Sequence, residues 1–74
     1  MKIDYYSDTD TLYITLSDNP SVESEEISQD IVMDLDENAQ PVGFEIEHAR
    51  QKVNLNSIIF NLGSIRKNRL IYEK

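Results

Sequence analysis

The stretch Asp30 to Glu47, DIVMDLDENAQPVGFEIE, decides the fold. Ile31, Met33 and Leu35 alternate with Val32, Asp34 and Asp36. Beyond Glu37-Asn38-Ala39-Gln40, the residues Val42, Phe44 and Ile46 alternate with Gly43, Glu45 and Glu47. Successive side chains of a strand point to opposite faces. Each arm therefore gathers three large apolar groups on one face and mostly carboxylates or glycine on the other. The pattern predicts an antiparallel hairpin that lies on a core and turns its back to water.

Working outward towards the N-terminus, Val22 to Gln29 is acidic and alternates weakly, with Ile27 as its apolar anchor. An edge strand is expected near Glu25–Ser28, where charge protects a sheet from stray pairing. Ser17-Asp18-Asn19-Pro20-Ser21 reads as a loop, since proline lacks a ladder donor. Thr11 to Leu16 puts Leu12, Ile14 and Leu16 on one face and Tyr13 and Thr15 on the other. With Lys2–Tyr6 and the turn formers Ser7-Asp8-Thr9-Asp10 it makes a second hairpin, with Ile3 and Tyr5 on the inner face. Towards the C-terminus, His48 to Val53 has helix formers without a period of two and predicts a short helix. Ile58-Ile59-Phe60-Asn61-Leu62 is an apolar run that fits either a buried strand or one face of a helix. The fold class that results is α+β, mainly β: a small antiparallel meander of four to five strands, a short helix and a C-terminal strand or helix.

Seventy-four residues make one domain, and a chain this short buries only about 60% of the surface it exposes when unfolded. No cysteine is present to staple it. An efficient core, a second copy or a partner must supply the remaining burial. The opening MKIDYYSDTD lacks the apolar run of a signal peptide, and no stretch has the composition of a membrane span. A cytoplasmic location away from membranes is the expectation. The net charge of −7 is unevenly spread. Residues 1–49 carry 13 acids against Lys2, giving −12, whereas residues 50–74 carry six bases against Glu73, giving +5. An acidic body with a basic tail disfavours nucleic acid as a partner of the body.

Tyr6-x-x-x-Asp10-x-Leu12-Tyr13-Ile14, an acidic stretch ending at Ile31, Asp34-x-Asp36 and Val42-Gly43-Phe44-Glu45-Ile46 follow one another in an order that resembles a bacterial family. That family is known as domain of unknown function 2283, and the resemblance covers about residues 2–49. Three departures stand out. Asn38-Ala39 stands where the family usually has a glycine, and Phe44 replaces its usual isoleucine. The Tyr6 to Asp10 spacing is one residue tight, with Tyr5 available for the role. The resemblance implies a small antiparallel sheet followed by a helix, and no enzyme activity. Some members are encoded beside small ribonuclease-like toxins, which implies an antitoxin-like role.

Several constellations suggest chemistry. Counting Asp34 as the first position, oxygen-bearing side chains fall at 1, 3, 5 and 12, the spacing of an EF-hand calcium loop. Ala39 stands where that loop requires glycine, and the flanks alternate like strands rather than helices. A solvated hairpin turn is the expected reading, with no metal or other cofactor. His48, the single histidine, lacks a nucleophile motif near it and is expected exposed at the strand-to-helix junction, so no catalytic role is assigned. Tyr5, Tyr6 and Tyr13 could stack bases, but their acidic surroundings favour packing in a core or dimer.

The tail remains as the candidate site. Ile58, Ile59, Phe60, Leu62, Leu70, Ile71 and Tyr72 are apolar residues set among cations. They can cover the chain's own sheet, build a homodimer, or grip another small protein such as a toxin. The function expected is that of a non-catalytic protein-interaction module. The alternative is a stand-alone homo-oligomer that binds a metal ion or small ligand.

Overall fold

The computed structural model describes residues 1–63 of the chain. Five strands and one short helix follow in order: β1 (Lys2–Tyr6), β2 (Thr11–Thr15), β3 (Glu23–Ser28), β4 (Ile31–Leu35), β5 (Pro41–Glu47) and α1 (Ala49–Lys52). The strands form one antiparallel sheet in the spatial order β1-β2-β5-β4-β3. β3, β4 and β5 run as a meander, and β2 pairs with β5 on its far side, a Greek-key type of return. The last strand of the described residues thus occupies the centre of the sheet.

Turn chemistry sets the hairpins. Ala39 N–H donates to the Asp36 carbonyl at 2.9 Å, and Asp36 N–H donates to the Gln40 carbonyl at 2.9 Å. This is a three-residue hairpin loop, which requires a left-handed residue at its third position; Ala39 fills it with φ 61°. Asp10, Asp30 and His48 are left-handed as well, with φ of 56°, 71° and 55°. Aspartate and histidine tolerate that region better than most residues. The bulge between Glu26 and Ser28 closes the β3–β4 hairpin above Asp30.

The register assigns two faces. Paired residues across β1, β2, β5 and β4 put Ile3, Tyr5, Leu12, Ile14, Ile31, Met33, Phe44 and Ile46 on one side. Asp4, Tyr6, Thr11, Tyr13, Thr15, Asp34, Gly43, Glu45 and Glu47 lie on the other. Burial is concentrated at the two ends of the sheet. At one end Leu35, Asp36 and Val42 are buried beside the Leu16–Val22 connection. That connection is pinned by Leu16 N–H on the Val42 carbonyl (2.8 Å) and Val22 N–H on the Leu35 carbonyl (2.9 Å). At the other end Leu12 and Ala49 are buried where α1 meets the β1–β2 turn. Between them, Ile14, Ile31, Met33, Phe44 and Ile46 are only half-buried, and Ile3 is 42% exposed. Among the described residues the strands form a single-layer sheet whose apolar face is half-buried along its middle.

Ile27, expected as an anchor of the third strand, is 52% exposed, because every residue of this bulged edge strand faces solvent. The run Ile58–Leu62 is neither strand nor helix, and Leu62 alone in it is half-buried. The short helix lies where the change of periodicity after Glu47 places it. No helix of the described residues is long and apolar enough to cross a membrane.

Candidate functional site

The aspartates that mark the sequence are tied to the protein itself. Asp34, on the charged face, sits across from Gly43 on the neighbouring strand. Tyr13, two strands away, donates its hydroxyl hydrogen to Asp34 Oδ2 at 2.7 Å, and Ser24 donates to Oδ1 at 2.7 Å. To reach Asp34 the Tyr13 ring must pass over β5, and Gly43 lies beneath its path. A Cβ on Gly43 would collide with the Tyr13 hydroxyl oxygen and lie 2.9 Å from Cζ. Bonding to the Asp34 carboxylate pushes the Tyr13 phenol up to about 12, because ionising it would place two negative charges together. Tyr13, Asp34 and Gly43 therefore form one clasp across three strands.

Asp10 performs a similar task at the opposite end. Tyr5 donates to Asp10 Oδ1 at 2.7 Å, which lowers the Asp10 pKa and raises that of Tyr5. Tyr5, rather than Tyr6, thus fills the position four residues and one more before Asp10. The Asp10 carbonyl accepts the Ala49 N–H at 2.9 Å, and its carboxylate accepts the Arg50 N–H at 3.1 Å. An aspartate forty residues earlier satisfies the first amides of α1, whose own N-cap, His48, gives no side-chain bond. His48 is exposed and lies 2.9 Å from Asp30 through Nδ1, with Lys52 Nζ 3.7 Å from the same carboxylate.

The loop with calcium-like spacing is a hairpin turn. Asp36 is buried, with Oδ1 accepting the N–H groups of Asn38 (2.8 Å) and Gln40 (2.9 Å) and Oδ2 accepting from Asn19 (3.2 Å). Those donors, the Gln40 amide foremost, hold its carboxyl below the usual value. Glu45 lies on β5 opposite Tyr13 and Val32, apart from this turn. Among the described residues no group of three or more His, Cys, Asp or Glu is placed to hold a metal ion.

Two surfaces remain. The charged face has a shallow hollow of ≈ 450 Å³ lined by Tyr6, Thr9, Thr11, Tyr13, Glu45, Glu47 and His48. The apolar face is half-buried along its centre, and beside Tyr5 a hollow is lined by Arg50, Val53 and Leu55. Of the tail residues singled out in the sequence, Ile58, Ile59 and Phe60 are 69%, 75% and 71% exposed and Leu62 is half-buried. Leu70, Ile71 and Tyr72 lie outside the described residues. The apolar face was legible in the sequence and its partial burial was not, because alternation reports which side chains share a face and not how much covers them.

No curated protein and no solved structure matches this chain. A family model does, described as Protein of unknown function (DUF2283), over residues 2–50, about two thirds of the length and all five strands. The chain belongs to the DUF2283 family.

Proposed function

We propose that this chain is a small non-catalytic protein-interaction module whose apolar sheet face receives another protein. The observation that carries the reading is the half-buried row Ile14, Ile31, Met33, Phe44 and Ile46 across the middle of a single-layer sheet. An apolar patch of this kind on a soluble chain marks an interaction surface. Sheet faces pack about 10 Å from their neighbours, so a helix or a second sheet laid on this row would complete an ordinary two-layer domain. The antitoxin-like role comes from the family resemblance, and the partner it implies is a small basic protein. Glu45, Glu47 and Asp4 on the opposite face give the module a negative field that would speed its encounter with such a partner. Self-association is the second reading, favoured by the same half-buried row, since a second copy is equally apolar there.

Co-expression with the product of the neighbouring gene tests the proposal. The tagged chain is expected to retain that product at micromolar concentration. Ile14→Glu, which places a carboxylate in the middle of the row, is expected to reduce retention at least about tenfold, the cost of burying one poorly paired charge. Two proteins that stay apart at micromolar concentration would sink the interaction reading.

A further inference from the structure

We infer that two copies of this chain join antiparallel at the outer edge of β1, Ile3 of one opposite Ile3 of the other, so that two five-stranded sheets become one. The inference goes beyond the interaction reading, because the edge is distinct from the apolar face and the joined sheet leaves that face free for a partner.

The first observation is a difference between the two edges. β1 and β3 both border the sheet. An open edge invites a further strand unless a bulge or charge guards it. β3 has both guards: its ladder with β4 shifts between Glu26 and Ser28, and it carries Glu23, Glu25 and Glu26 without a base. Two such edges repel each other. β1 has neither guard. Its ladder with β2 runs without a shift, it contains no proline, and Lys2 offsets Asp4. Its apolar side chains stand in water, Met1 at 80% and Ile3 at 42% exposure.

The second observation settles which backbone groups face outward. Leu16 N–H reaches the Val42 carbonyl at 2.8 Å, in line with the Thr15–Gly43 pair of the β2–β5 register. Hydrogen-bonded pairs alternate along an antiparallel ladder. Leu12, Ile14 and Leu16 therefore turn their backbone groups to β5, while Thr11, Tyr13 and Thr15 turn theirs to β1. On the other side of β5, Glu47 N–H on the Asp30 carbonyl at 2.8 Å keeps the same alternation. The β1 partners Tyr6, Asp4 and Lys2 face inward in turn, which leaves the N–H and C=O of Ile3 and Tyr5 pointing away from the sheet.

The third observation is that this edge complements itself. A second copy laid antiparallel about Ile3 exchanges N–H and C=O bonds at Ile3, and its Met1 carbonyl accepts the Tyr5 N–H. Lys2 then falls opposite Asp4 of the other copy, and by symmetry Asp4 opposite Lys2, in the non-hydrogen-bonded position where side chains come closest. Ile3 meets Ile3 and Tyr5 meets Met1 on the apolar side. A register about Asp4 serves the same amides but sets Asp4 against Asp4. A register about Tyr5 runs into the turn at residues 7–10. The twofold axis stands perpendicular to the sheet, so both apolar faces lie on one side.

Sedimentation of the full chain between about 1 μM and about 1 mM tests the contact. The parent is expected to pass from monomer to dimer across that range. Lys2→Glu and Asp4→Lys are each expected to weaken the dimer at least about tenfold, since two facing pairs become repulsive at once. Combining the two substitutions is expected to restore it to within about threefold of the parent. Net charge becomes more negative in the first variant and less negative in the second, so bulk repulsion alone shifts them in opposite directions. The chain has no cysteine, so Ile3→Cys reports the axis without background. Facing Cα atoms about 5.5 Å apart suit a disulfide, and Ile3→Cys is expected to cross-link at least about tenfold faster than Ile27→Cys on the β3 edge. A chain that stays monomeric throughout overturns the inference. So does a dimer indifferent to both charge reversals, or equal cross-linking at the two edges. Ile14→Glu, which strikes the face, is expected to leave the dimer intact, and its loss in that variant assigns the contact to the face and also overturns the inference. No partner enters these readouts, so edge pairing and partner binding fail separately.

Discussion

Ala39 holds a left-handed conformation, φ 61°, at the position of a three-residue hairpin loop where glycine fits without steric cost. Among the described residues the other three non-glycine residues in that region are two aspartates and a histidine, and Ala39 is the one without a polar side chain to bond locally. Ala39→Gly is expected to raise stability by about 0.5–1 kcal/mol despite the entropy glycine adds to the unfolded chain. Urea unfolding of the two proteins decides it: an unchanged or lower midpoint contradicts the strain assigned to this residue. Gly43 presents the converse case. It is not in a glycine-only conformation, and what it needs is absence of a side chain under the Tyr13 ring. Gly43→Ala is expected to cost about 1–3 kcal/mol, the range for forcing a methyl into filled space. Removing the obstruction with Tyr13→Phe as well should recover part of the loss in a double-mutant cycle, whereas additive losses would mean that the two residues do not touch.

At the level of strands, the central position of β5 and the edge positions of β1 and β3 order their stability. β5 is hydrogen-bonded on both sides, by β2 and β4, while β3 is exposed at all six residues and interrupted by a bulge. Amide hydrogen exchange is expected slowest in β5 and its two neighbours and fastest in β3; slow exchange throughout Glu23–Ser28 would show that something covers that edge. The two hairpins, the short helix and the edge character of β3 were legible in the sequence, because alternation, turn formers and charge are local signals. The pairing of β2 with β5 was not, since Thr11–Thr15 and Pro41–Glu47 alternate alike whatever lies beside them. The Tyr13–Asp34 bond was hidden for the same reason, although Gly43 in the interior of a strand already signals a close approach. Ile27 misled because a lone isoleucine between glutamates looks like an inward anchor, and the bulge beside it leaves it in solvent.

At the scale of the molecule, two carboxylates of the described residues with lowered pKa values bind distant segments: Asp10 ties β1 and α1, and Asp36 ties the Asn19 loop to the β4–β5 turn. A group whose pKa is depressed on folding stabilises the fold above its unfolded value, here near 3.8, and the contribution is lost as pH falls through the folded value. The protein is therefore expected to hold a level melting temperature from neutrality down to about pH 5 and to lose stability below about pH 4. Asp36→Asn keeps an acceptor oxygen without the charge, so its deficit against the parent should be widest at neutral pH and close in acid. Thermal melts at both ends of that range check this, and a deficit that stays constant would remove Asp36 from the account. The place of β5 has another consequence, in the order of synthesis. A ribosome completes two ribbons, residues 2–15 and 23–35, before it makes the seven residues that join them. A stop codon ahead of Pro41 would leave two hairpins joined by a loop but not paired to each other, and not a smaller sheet. Conversely, a peptide beginning near Gln40 is the missing stave, able to reunite the halves when added from outside.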